Sequence, residues 1–159
     1  MFTLDEFHDA RAPSGGSVST SKNLLARNVA SGRLVRVRRG LYATVPLGID
    51  PADATVDPYL LTTHLAPDAA VALHAALQFF GKTYSVWNRF HYLTGDRRRD
   101  LTVRGAEFIP VQDPPPLRHL PDRGGAIGMF SYAGGWARVT TLERAMVDVL
   151  HEPERSGGW

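Results

Sequence analysis

The apolar residues of this chain change spacing several times, and each change marks an element. Thr3 followed by Glu6 has the spacing of a capping box, and Leu4, Phe7 and Ala10 recur on one helical face, which predicts a helix over 4–11. Ala12-Pro13-Ser14-Gly15-Gly16 breaks it. The hydroxyls of Ser17, Ser19, Thr20 and Ser21 offer caps for a second helix over roughly 20–30, with Leu24, Leu25 and Val29 inward and Gly32 at its C′ position. Leu34-Val35-Arg36-Val37-Arg38 then alternates, a strand with the valines on one face and the arginines on the other. Arg39-Gly40 turns it and Leu41-Tyr42-Ala43 returns. Helix, loop, helix and hairpin follow in the order of a winged helix, one of whose usual three helices is short or missing.

The rest of the chain reads differently. Residues 45–53 form a linker, Asp57-Pro58 opens a helix to about Leu65, and Pro67-Asp68 is expected to cap another over 69–80, closed by Gly81. Strand-like runs follow at 85–94, 101–103, 108–111, 127–132 and 137–139, with Pro114-Pro115-Pro116 between the third and fourth. Arg97-Arg98-Arg99, between Asp96 and Asp100, reads as a wet, self-neutralised hairpin tip. Thr140 and Glu143 have capping-box spacing and open a helix to about Leu150. The expected fold class is α+β: an N-terminal winged helix-turn-helix at 1–46, then a mixed α+β domain at 47–159 with a mixed or antiparallel sheet.

Charge sharpens the division. The net charge of the 159 residues is only +2, but residues 1–45 carry seven basic side chains against three acidic, and no carboxylate lies between Asp9 and Asp50. A polyanion would find a one-sign surface there; the plainer alternative is a solvated basic face. There is no cysteine, which removes disulfides, thiolate–metal sites and thiol catalysis and fits a cytoplasmic protein. No apolar run is long enough to span a membrane, and the acidic start lacks the pattern of an export signal.

The candidate chemistry follows the charge. Ser19, Thr20, Ser21, Lys22 and Asn23 crowd the first turn of the second helix, where hydroxyls and the positive dipole end suit phosphate and asparagine suits adenine. Arg27 lies one turn on, within reach of the DNA backbone. Arg36, Arg38 and Arg39 supply a basic wing, since the guanidinium pairs with phosphate bidentately and enters narrow minor grooves. Plain N-capping and a charge-protected hairpin edge are the structural alternatives. No catalytic, metal or cofactor site is expected. Gly81-Lys82-Thr83 echoes a phosphate loop, but Ala76 stands where its first glycine belongs. His8, His64, His74, His91, His119 and His151 show no ligand spacing, and His74 reads as a packed histidine. Ser85 and Ser131 lack a hydrolase context, and Glu143 and Asp148 do not share a helix face.

Leu24-Leu25-Ala26-Arg27 with Gly32-Arg33-Leu34-Val35-Arg36-Val37-Arg38-Arg39-Gly40-Leu41-Tyr42-Ala43 resembles the winged helix of abortive-infection AbiEi-type antitoxins. Asp57-Pro58-Tyr59-Leu60-Leu61, Pro67-Asp68-Ala69, Leu73-His74-Ala75-Ala76-Leu77, Gly81, and Val139-Thr140-Thr141-Leu142-Glu143-Arg144 through Val147-Asp148 to Gly157-Gly158-Trp159 are similar to later segments of that family. The resemblance implies an antitoxin and autorepressor that binds inverted repeats in its own promoter and counteracts a nucleotidyltransferase-like toxin; a homodimer on DNA would suit two half-sites. Family members continue past the Gly-Gly-Trp point with a largely helical part, so the second domain is expected to be incomplete relative to the family. The rival expectations are an interaction module that binds a toxin or sister subunit, with DNA secondary, and a nuclease, which lacks its carboxylate cluster.

Overall fold

Thr3 closes both halves of its capping box. Its hydroxyl accepts from the Glu6 N–H at 3.1 Å and its own N–H donates to the Glu6 carboxylate at 2.6 Å, starting helix α1 (Leu4–Arg11). The two residues before it form strand β1 (Phe2–Thr3), which the sequence reading omits. After a 3-10 turn at Ala12–Ser14, helix α2 (Val18–Ala30) begins two residues earlier than expected, capped by Ser17, whose hydroxyl accepts from the Thr20 N–H. It ends in a Schellman motif: Gly32 N–H donates to the Val29 carbonyl and Arg33 N–H to the Asn28 carbonyl. Gly32 has φ 72°, which a side chain would strain.

Strands β2 (Leu34–Arg38) and β3 (Leu41–Thr44) form the expected hairpin, and β1 adds to the far side of β3, giving the antiparallel order β1-β3-β2. Gly40 in the turn has φ 78°. Val35, Ala43 and Ala54 form a buried cluster covered by Val37, Val45 and Val56. Residues 47–56 are therefore not a free linker. They fold back onto the hairpin, and the compact units are Met1–Val56 and Asp57–Trp159, the boundary falling ten residues later than expected.

The computed structural model describes residues 1–117, 120 and 122–157. His119 and the closing Gly158-Trp159 lie outside the described residues.

In the second unit Asp57 caps helix α3 (Pro58–Thr63), accepting from the Tyr59 and Leu60 N–H groups at 3.0 Å each. Strand β4 (Ala70–Val71) and helix α4 (Leu73–Phe79) replace the single helix expected over 69–80. Ala69-Ala70-Val71-Ala72 is fully buried, with β4 between two other strands; a short run of small apolar residues carries no period to tell strand from helix. Strands β5 (Arg89–Leu93), β6 (Leu101–Val103), β7 (Ala106–Val111), β8 (Ile127–Tyr132) and β9 (Gly135–Thr140) complete a mixed six-stranded sheet in the order β6-β7-β5-β4-β9-β8. Because β7 separates β5 from β6, Arg97-Arg98-Arg99 lies on a crossing connection and not at a hairpin tip.

A four-residue segment, α5 (Asp122–Gly125), precedes β8, with Arg123 and Gly124 left-handed. Helix α6 (Leu142–His151) is capped by Thr141, one residue after the threonine the capping-box spacing selects. Thr140 is used up as the buried last residue of β9. Tyr59 is the hub of the aromatic core, edge-on to Phe79, Phe90 and Tyr132 at 5.3–5.6 Å, while Phe79 and Phe80 both meet Phe130. No helix of the described residues is long and apolar enough to cross a membrane.

Candidate nucleic-acid interface

Helix α2 has two faces, set by steps of three and four. Ser21 and Leu25 are fully buried, with Leu24, Asn28 and Val29 beside them. Ser19, Lys22, Asn23, Ala26, Arg27 and Ala30 fall on the opposite stripe and are all exposed. Small alanines between the polar residues leave that surface open to a rigid partner. Thr20 is also exposed, but its hydroxyl lies 3.0 Å from the Ser17 hydroxyl and belongs to the cap.

Ser21 leaves the candidate set. It has no exposed surface, and its hydroxyl lies 3.3 Å from His8 Nδ1 and accepts from Arg11 at 3.5 Å. It joins α2 to α1. A buried hydroxyl needs a partner, and α1 supplies two. Arg11 also sits over the Phe7 ring, 5.8 Å from its centroid, so this basic residue acts within the unit.

The hairpin corrects a second expectation. A β-bulge falls between Arg36 and Arg38, so that Arg36 pairs with Tyr42 and Arg38 with Leu41. Tyr42 and Leu41 are neighbours in one strand and leave it on opposite faces. Arg36 and Arg38 therefore do not share a face. Arg36 is exposed, Arg38 is half-buried across from the buried Leu41, and Arg39 is exposed at the turn. The bulge consumes Val37 as its extra residue, which breaks the alternation. The exposed cations of the helix and hairpin are thus Lys22, Arg27, Arg36 and Arg39.

The second unit buries ion pairs. Arg123 spans two carboxylates, Asp68 at 2.6 Å and Asp113 at 2.7 Å, and Asp113 is 1 % exposed. Burial raises the Asp113 carboxyl above its ordinary range. Burial would raise Asp68 too, but the Gly95 N–H, the Thr94 hydroxyl and Arg123 outweigh it and hold the carboxyl low. Asp68 thus ties the start of β4 to the end of β5 instead of capping a helix. Arg144 pairs with Asp148 at 2.6 Å along α6. No sequence spacing announces the Asp68–Arg123–Asp113 network, because its members come from three separated segments, whereas Arg144 and Asp148 have the i,i+4 spacing of a helix pair.

The other candidate chemistry is dispersed. His74 is buried and stacks on Trp87 at 4.1 Å; its Nε2 lies 3.5 Å from the Ser85 hydroxyl, and no carboxylate completes a hydrolytic arrangement among the described contacts. Among the described residues no three His, Asp or Glu side chains gather as a metal site. Gly81 ends α4 instead of opening a helix. The sequence matches no protein-family model and no curated protein.

Proposed function

We propose that the first unit binds double-stranded DNA, with α2 as the recognition helix and the β2–β3 hairpin as the wing. The observation that carries the reading is the exposed stripe of α2, where Ser19, Lys22, Asn23 and Arg27 present hydroxyl, cation and amide without one carboxylate. Two helices followed by a hairpin, with a short N-terminal strand added beside it, is the order of a winged helix lacking its first helix. Lys22, Arg27, Arg36 and Arg39 would neutralise phosphates, and Asn23 would read a base edge. The regulatory setting, an antitoxin that represses its own operon through promoter inverted repeats, comes from the resemblance set out above; a cytoplasmic location fits the cysteine-free sequence.

Selection of the full chain on a randomised duplex pool tests the reading. A preferred sequence is expected, bound with an affinity that falls steeply with salt. Lys22→Ala with Arg27→Ala should reduce affinity on any duplex. Failure to retain duplex at low salt, or full affinity in that double variant, would overturn it.

A second reading has its own support. Met146, Val147 and Leu150 leave α6 half or more exposed, an apolar face suited to a protein partner such as a toxin. Binding confined to protein, with no duplex retained, would favour it.

A further inference from the structure

The two sheets have four edges, and three are protected. Strand β1 is two residues long. Strand β2 carries Arg36 and Arg38 and a bulge. Strand β6 is three residues long, flanked by Asp100 and Arg104. Short length, charge and bulges are the devices that stop one edge from pairing with another chain.

Strand β8 has none of them. Ile127-Gly128-Met129-Phe130-Ser131-Tyr132 contains no charge and no proline, and it pairs with β9 through six consecutive residues without a register shift. Among the described residues β9 is its one strand neighbour, so alternate residues, three of the six, turn their main-chain donors and acceptors away from β9. Phe130 and Tyr132 point into the aromatic core. Met129 and Ser131 point the other way and are exposed, beside Trp136 of β9, which is 60 % exposed and pairs with Ser131.

We infer that β8 is a self-association edge, pairing antiparallel with β8 of a second copy to make one continuous twelve-stranded sheet. A second copy is the occupant for three reasons. The strand is neutral, so facing itself sets no like charges opposite each other. A two-fold axis perpendicular to the sheet relates antiparallel strands and keeps each face on its own side. Met129 and Trp136 of the two copies then form one apolar strip across the axis. That symmetry fixes the register further. Paired residues must point to the same face, so the axis passes through a residue and never between two. Met129 or Phe130 is the central one. The inference does not rest on DNA binding and needs no DNA.

Sedimentation equilibrium of the full chain without DNA tests it. Wild type is expected to be a dimer at concentrations up to about 100 µM. Met129→Glu with Ser131→Glu should weaken association at least about tenfold, because either central register sets two of the new carboxylates opposite each other. The fold should persist: both side chains are exposed, and Glu at 129 faces Arg138 across β9. Hydrogen exchange supplies a readout independent of any variant, with the alternate main-chain amides of 127–132 that face away from β9 gaining protection as wild-type concentration rises. A wild type that stays monomeric, or a dimer that the double variant leaves intact, would overturn the inference, as would exchange at 127–132 that ignores concentration.

Discussion

Arg27 and Arg123 place the same side chain in opposite circumstances. Arg27 stands in solvent on α2, in a unit whose cations Lys22, Arg36 and Arg39 are also exposed. Arg123 is 11 % exposed and bridges two carboxylates, one of them fully enclosed. Arg144, 9 % exposed, holds Asp148 in the same unit. A buried charge without its partner is costly, whereas an exposed one contributes little to stability and remains available to a ligand. The first unit is thus held by Leu25, Leu41 and the Val35 cluster while Lys22, Arg27, Arg36 and Arg39 stay exposed to a ligand. The second commits Arg123 and Arg144 to its own fold.

The sharpest way to break that contrast is to delete one arginine from each side. Arg123→Ala removes the guanidinium that bridges Asp68 and the buried Asp113 and should cost about 3–5 kcal/mol in urea unfolding of the second unit. A loss under about 1 kcal/mol would mean that solvent reaches Asp113 and that the network is not structural.

Protonation sharpens the same contrast. His91 is 3 % exposed, and burial, with Arg155 and Arg89 nearby, lowers its pKa from 6.5 to about 4. Below pH 6.5 the unfolded chain takes up a proton that the folded chain refuses until about pH 4. Stability is therefore full above pH 6.5 and falls through this window, by about 3 kcal/mol for the whole shift. Replacing His91 by Gln should flatten the wild-type pH dependence over that range. Parallel curves for the two proteins would show that His91 titrates normally in the fold.

Effects in the first unit should be smaller and should appear on DNA. Asn23→Ala is expected to reduce discrimination between selected and scrambled duplexes by about 1–3 kcal/mol. An equal loss on both would assign Asn23 to the backbone. Arg36→Ala with Arg39→Ala should shift the melting free energy by less than about 0.5 kcal/mol. On DNA it should flatten the slope of log affinity against log salt by roughly 2 per chain. A folded double variant with an unchanged slope would remove the wing from the interface.

Local chemistry was legible in the sequence. The Thr3–Glu6 box, the Asp57 cap, Gly32 at the end of α2, the turn at Arg39-Gly40 and strands β6 and β8 all depend on residues within a few positions of one another. The polar stripe of α2 follows from the same periodicity, so most of the candidate surface was readable too.

Tertiary structure decided what local spacing cannot encode. Ser21 looked like a fifth polar residue at a helix start and became a buried tie to His8, because α1 packs over that side of α2. Arg38 left the face of Arg36 because the hairpin took a bulge, a choice made by pairing across two strands. Thr140 lost the cap to Thr141 because β9 extends one residue further to pair with Ile127. The same holds for the strand order, the insertion of β7 between β5 and β6, and the meeting of Asp68, Asp113 and Arg123. A sequence fixes period and local hydrogen bonding, while burial, strand neighbours and long-range ion pairs are set by which distant segments exclude water together.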